Sequence, residues 1–164
     1  QIFHIMAPLV VLIATCLLLY GGNKLLAGGR LGMRRIGRIA LAAMLIVTGV
    51  AHFTNTDQMV AIMPDVVPFK LELVYFTGIC ELAAAIGLLW DRTSRLAAIM
   101  LVIFFVMVLP ANIAGSFKQV ELGGMEYGPV YLFFRVPLQI FLIWWAWYFG
   151  IRAEKNAIDR PSQQ

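Results

Sequence analysis

Apolar residues in this chain fall into long blocks with little polar alternation. Five such runs cover 2–20, 39–53, 71–90, 96–114 and 130–150, and the second can be extended backwards into the basic segment before it. A hydrocarbon layer about 30 Å thick is crossed by about 20 apolar residues in a helix. A lone strand or loop would leave backbone polar groups unpaired in lipid, so each run predicts a transmembrane α-helix. The pattern therefore predicts an all-α membrane protein, a bundle of five transmembrane helices. The first run is too long for the core of a signal peptide and has no clear small-residue cleavage site before its basic flank, so it counts as a span.

Between the second and third runs lies TNTDQMVAIMPDVVPFK. Thr56 or Asp57 is placed to cap a short helix with Met59, Ile62 and Met63 on one side, ended by Pro64. That helix is expected to lie in the membrane interface. The later connection SFKQVELGGMEYGP alternates polar and apolar residues around Gly123 and Gly124, which suggests a small hairpin or a two-armed loop. The chain closes on the polar tail NAIDRPSQQ, expected to be mobile.

Composition agrees with this reading. The 164 residues are 61% hydrophobic and 13% charged, more apolar surface than one soluble core of this size hides. The net charge of +4 arises from an uneven distribution of cations. Lys24, Arg30, Arg34, Arg35, Arg38, Arg92, Arg95, Arg152, Lys155 and Arg160 fall on one side of the alternating spans. Lys70, Lys118 and Arg135 fall on the other, with Asp57, Asp65, Glu72, Glu121 and Glu126. Because cytoplasmic loops retain positive charge, this predicts an outer N-terminus and a cytoplasmic C-terminus. The charge is thus a topology signal, and no nucleic-acid partner is implied. Trp144, Trp145 and Trp147 read as an interfacial aromatic belt near the inner end of the last span.

The spans also hold polar residues, each of which asks for a partner or a task. Thr48 and His52, Thr77 and Glu81, and Arg135 and Gln139 are spaced i,i+4 and share helix faces. His52, Asn112, Arg135 and Gln139 lie towards the outer ends of their helices, while Glu81 is about 14 Å deeper than Glu72 along its helix. Pro110, two residues before Asn112, either ends its helix or frees the carbonyl of Val106 beside a region rich in donors. Two readings stand side by side. Glu81 with Arg135 forms a buried ion pair, and Asn112 with Gln139 forms interhelical hydrogen bonds, all serving packing. Alternatively His52, Glu81, Asn112, Arg135 and Gln139 converge on one binding pocket in the outer half of the bilayer. His4 and His52 sit in different spans, with no Cys or carboxylate at ligand spacing, so no metal site is predicted. No nucleophilic triad, phosphate loop or dinucleotide fingerprint is present. A solute transporter fits less well, because paired broken helices and inverted repeats are missing.

The ordered series GVAHF (49–53), MPDVVP, TGICELAAAIGLL (77–89), PAN (110–112) and RVPLQ (135–139) followed by a Trp-rich end resembles the DoxX-like family of small membrane proteins. The resemblance spans about residues 38–149. It implies a four-helix core, so that residues 1–37 add an N-terminal helix and basic linker, 38–150 form the core and 151–164 a cytoplasmic tail. It also implies a place in membrane redox chemistry, as a subunit or accessory protein beside other membrane subunits in a bacterial inner (plasma) membrane. A quinone-like ligand is then the expected cofactor, with Glu81, Asn112, Arg135 and Gln139 at the family's motif positions. Without a redox-active cysteine pair, thiol exchange by the chain itself is not expected. The alternative function is a non-catalytic structural or assembly subunit of a larger membrane complex.

Overall fold

The computed structural model describes residues 2–25, 31–118 and 125–152; the side chains of residues 2–5 and 125–126 are outside this description. Within these residues the chain is all-helical. Six α-helices follow one another: α1 (Ile2–Leu25), α2 (Met33–Thr54), α3 (Thr56–Ile62), α4 (Lys70–Leu89), α5 (Asp91–Lys118) and α6 (Leu132–Ala146). A 3-10 segment, Met125–Tyr131, leads into α6, and a π turn, Trp147–Arg152, ends it. Five segments are long and apolar enough to cross a membrane: Met6–Leu25, Met33–Thr54, Lys70–Leu89, Asp91–Lys118 and Tyr127–Arg152.

Each predicted run is therefore a helix, with shifted ends. The second gains a turn and a half of basic residues at its start, which supplies the length it lacked. The fourth does not stop at Pro110. The α5 helix passes through that proline and continues to Lys118, with Asn112, Gly115 and Ser116 buried beyond it. Packing of this last stretch holds the helix past the missing hydrogen bond. Pro110 itself and Val106 are exposed, so the freed carbonyl belongs to the outward side of α5, away from the buried Asn112.

The α3 helix forms and ends at Ile62, with Met63 as its C-cap just before Pro64, as its sequence predicts. Its start differs, because the N-cap position is Asn55 and no side chain caps it. Thr56 instead turns its hydroxyl back to the carbonyl of His52 at 2.8 Å. Of the suggested hairpin, residues 119–124 lie outside the described residues, and both flanks are helical. The 3-10 segment is interrupted at Gly128, where φ of 67° requires a residue without Cβ, just before Pro129. The tail from residue 153 onwards also lies outside the described residues.

Helices α2 and α4 share the most extensive interface, α1 packs on α2, and α5 bridges α4 and α6. The core runs through Leu41, Leu45, Leu88, Leu101, Leu142 and Phe149. Small residues set the spacing. A Cβ on Gly37 would meet the Phe149 ring at 2.4 Å, and one on Gly150 would meet Ala98 Cβ at 2.2 Å. By contrast α1 contributes Leu12 as its fully buried apolar residue, while Leu17 and Leu18 are exposed. Its C-terminal end is fastened by Asn23, whose amide both donates to the carbonyl and accepts from the N–H of Leu31, each at 2.8 Å. Outward-facing Phe76, Ile79, Ile86, Met107 and Ile140 give the bundle an apolar exterior suited to lipid.

The tryptophans divide. Trp144 and Trp147 are exposed, and Arg152 lies over the Trp147 ring at 5.5 Å. Trp145 is buried and donates its indole N–H to the carbonyl of Gly37 at 3.0 Å, so it ties α6 to α2 and is no belt residue.

Candidate functional site

The polar residues inside the spans form two groups on different interfaces. The first lies between α2 and α4, where Gly49 and Gly78 face each other. A Cβ on Gly78 would come within 2.7 Å of His52 Cβ and 3.2 Å of the Gly49 carbonyl; one on Gly49 would meet Leu82 at 2.9 Å. This close approach brings Thr48 and His52, one turn apart on α2, against Glu81 of α4. Thr48 donates its hydroxyl proton to Glu81 Oε2 at 2.6 Å. His52 Nδ1 is 2.9 Å from the carbonyl of Thr48, which can only accept, so Nδ1 carries a proton. The same nitrogen is 4.0 Å from Glu81 Oε2. Glu81 is buried, and this arrangement gives it a hydroxyl donor and an imidazole at its edge.

The second is the contact that Gln139 of α6 makes with α5. Gln139, 2% exposed, donates from Nε2 to the backbone carbonyl of Phe105 at 2.7 Å. That carbonyl is one residue before the one Pro110 frees, in a turn where the proline ring crowds the helix. Gln139 Oε1, Asn112 Nδ2 and Arg135 Nε are all buried and have no hydrogen-bond partner among the described residues. Buried polar atoms are nearly always paired, so these three stand out.

The ion pair expected between Glu81 and Arg135 is not formed. Glu81 is engaged by Thr48 and His52 instead. Arg135 makes no hydrogen bond or ion pair among the described residues. The five candidates are therefore not one convergent set: Glu81 and His52 meet, Gln139 engages α5, and Asn112 and Arg135 are unpartnered. Two surface recesses are lined by other residues, one by Arg35, Ile86, Leu89, Trp90 and Asp91, the other by Leu9, Phe133, Phe134, Pro137, Leu138 and Phe141. Spacing reasoning placed Thr48 on the His52 face, but it missed Gly49 and Gly78. Their signal is a small residue at the same depth on two adjacent spans.

A family model described as a domain of unknown function (DUF8561) matches residues 41–150. The chain belongs to the DUF8561 family. The DUF8561 match begins within α2 and ends in the π turn, so it takes in all five candidate residues and leaves α1 outside. No curated protein and no solved structure matches the chain.

Proposed function

We propose that this DUF8561 chain is a small integral-membrane subunit or accessory protein of a membrane redox system, and that it binds a quinone-like molecule at the α5–α6 seam. The carrying observation is the pair of buried, unpartnered donors on facing helices, Asn112 Nδ2 and Arg135 Nε. Both fit a carbonyl oxygen, and an apolar tail suits the lipid-facing side chains around them. Redox chemistry enters through the DoxX-like motif series, and a bound quinone would supply two-electron, two-proton exchange. On the protein side, Asn112 and Arg135 hold the head, Gln139 offers Oε1 to a hydroxyl, and the Thr48–His52–Glu81 group holds a proton. Binding entails movement of side chains at the seam, which Pro110 and Pro137 loosen by deleting one helix hydrogen bond each. The uneven Lys and Arg distribution supports an outer N-terminus and a cytoplasmic C-terminus, and hence a binding site in the outer half of the bilayer.

The test is quinone retention. The purified chain in nanodiscs is extracted, and quinone is quantified against empty discs by mass spectrometry. Near-stoichiometric quinone that is lost in Asn112→Leu and Arg135→Gln, with helix content and melting unchanged, is the expected result. Wild-type chain holding no more than empty discs would sink the proposal.

A second reading, an assembly subunit without a ligand, is favoured by the bonds these polar groups make within the fold: Gln139 to Phe105, Thr48 to Glu81 and Trp145 to Gly37. It predicts a stoichiometric protein partner in native membranes and no quinone attributable to this chain.

A further inference from the structure

The end of the bundle where α2 and α5 begin carries a feature that the quinone reading does not use. Arg38 is buried and paired with Asp91, which joins α2 to the first turn of α5. The same turns hold Arg34, Arg35, Arg92 and Arg95, and Asp91 is the one carboxylate at this end among the described residues. With Asp91 engaged by Arg38, the other arginines have no ion-pair partner there among the described residues. A recess of about 380 Å³ opens beside them, lined by Arg35, Ile86, Leu89, Trp90 and Asp91.

The recess has two kinds of wall. Arg35 presents an unpartnered guanidinium at its rim, and Trp90, 69% exposed, sits at the helix end where an amphipathic ring suits the headgroup layer. Below them Ile86 and Leu89 are exposed, and Ile79, Ala83 and Ile86 continue as an outward apolar stripe along α4. A cation and an indole over a strip of aliphatic surface match a molecule with an anionic head and a hydrocarbon tail. A zwitterionic head gains less, because its own cation meets the arginine cluster.

We infer that this recess is a binding site for an anionic phospholipid, with its phosphate on Arg35 beside Trp90 and an acyl chain along Ile86 and Ile79. Charge complementarity selects the occupant: the excess of arginines around the recess attracts net negative headgroups, and a basic residue that meets the headgroup contributes roughly a fivefold gain. Arg38 is the positioning residue. Asp91 itself lines the recess, and its ion pair with Arg38 offsets the one opposing carboxylate there.

Native mass spectrometry of the full chain, released from detergent containing equal phosphatidylglycerol and phosphatidylcholine, tests this. Preferential retention of phosphatidylglycerol is expected, reduced about fivefold by Arg35→Gln. Arg152→Gln, at a residue outside the recess that lies over Trp147 and Tyr148, should leave retention unchanged. Millimolar glycerol phosphate, which has the head without the tail, should not displace the lipid. Equal retention of the two lipids, equal loss in both variants, or displacement by glycerol phosphate would each overturn the assignment. Arg35 and Arg152 are both exposed, so folding is not at stake in either variant.

Discussion

Thr48 on α2 donates a hydrogen bond from its hydroxyl to Glu81 on α4 across 2.6 Å, at the level where Gly49 and Gly78 let the two helices touch. That bond is the donor the fold supplies to a buried carboxyl group. Thr48→Val keeps the shape and removes the donor, leaving Glu81 Oε2 unsatisfied. The expected loss is about 1–3 kcal/mol, and Thr48→Ser should recover most of it. Unfolding of the reconstituted chain by titration with denaturing detergent measures both. Wild-type stability in Thr48→Val would mean that Glu81 is held by other groups.

Glu81→Gln tests charge apart from packing. The amide carbonyl of the variant still accepts from Thr48, and no guanidinium is deprived of a contact because Arg135 does not touch Glu81. The variant should fold within about 1 kcal/mol of wild type. A far larger loss would show that Glu81 and Arg135 pair directly, contrary to the geometry. If it folds normally but loses quinone or its partner, then the acid itself carries function.

Gly78→Ala probes the seam. The added methyl would sit 2.7 Å from His52 Cβ and 3.2 Å from the Gly49 carbonyl. Neither is the far end of a flexible side chain, so the helices must part. A loss of about 1–3 kcal/mol is expected. The same change should displace His52 from Glu81, read as a shift in the His52 imidazole NMR resonances relative to Gly87→Ala. Gly87 lies on the same helix, and there the added methyl would meet only Ala97 Cβ, at 2.9 Å. Unaltered His52 resonances in Gly78→Ala would refute the close approach.

The helices were legible in the sequence because membrane spans are written in uninterrupted apolar length, and the ends alone moved. Of the two readings that Pro110 left open, the helix end is not the one found, since a proline removes one hydrogen bond whereas burial of Asn112, Gly115 and Ser116 holds several residues beyond it. The polar residues were legible as exceptions in hydrocarbon, but their partners were not. Depth along a helix says which residues share a level, yet Glu81 turns to Thr48 and His52 because glycines pull α2 inward, and Arg135 is left on α6. Arg38 shows the same limit. It reads as one more topology-setting cation, and it is in fact buried and paired across to Asp91.

At the opposite end of the bundle, Asp65 receives Lys118 at 2.9 Å and Lys70 at 3.1 Å, and Lys118 also donates to the carbonyl of Met63 at 2.6 Å. One carboxylate thereby ties the turn after α3 to the start of α4 and the end of α5. The hydrogen bond and charge of Lys118, then those of Lys70, hold the Asp65 carboxyl below its ordinary value of 3.8. A carboxylate whose folded value is depressed stabilises the fold above its unfolded value, and the contribution is lost as pH falls through the folded one. The clasp should therefore be intact at neutral pH and open only in acid, below about pH 4. Hydrogen exchange of residues 63–70 reads the opening directly. Protection there should hold down to about pH 4 and fall as the pH is lowered further, after correction for intrinsic exchange, on the order of severalfold because the carboxylate is solvent-exposed. Asp65→Asn should give the low protection at every pH and remove the acid step. An acid step that persists in Asp65→Asn would assign the opening to another carboxylate, with Asp57 and Glu72 the nearest candidates in sequence on this side.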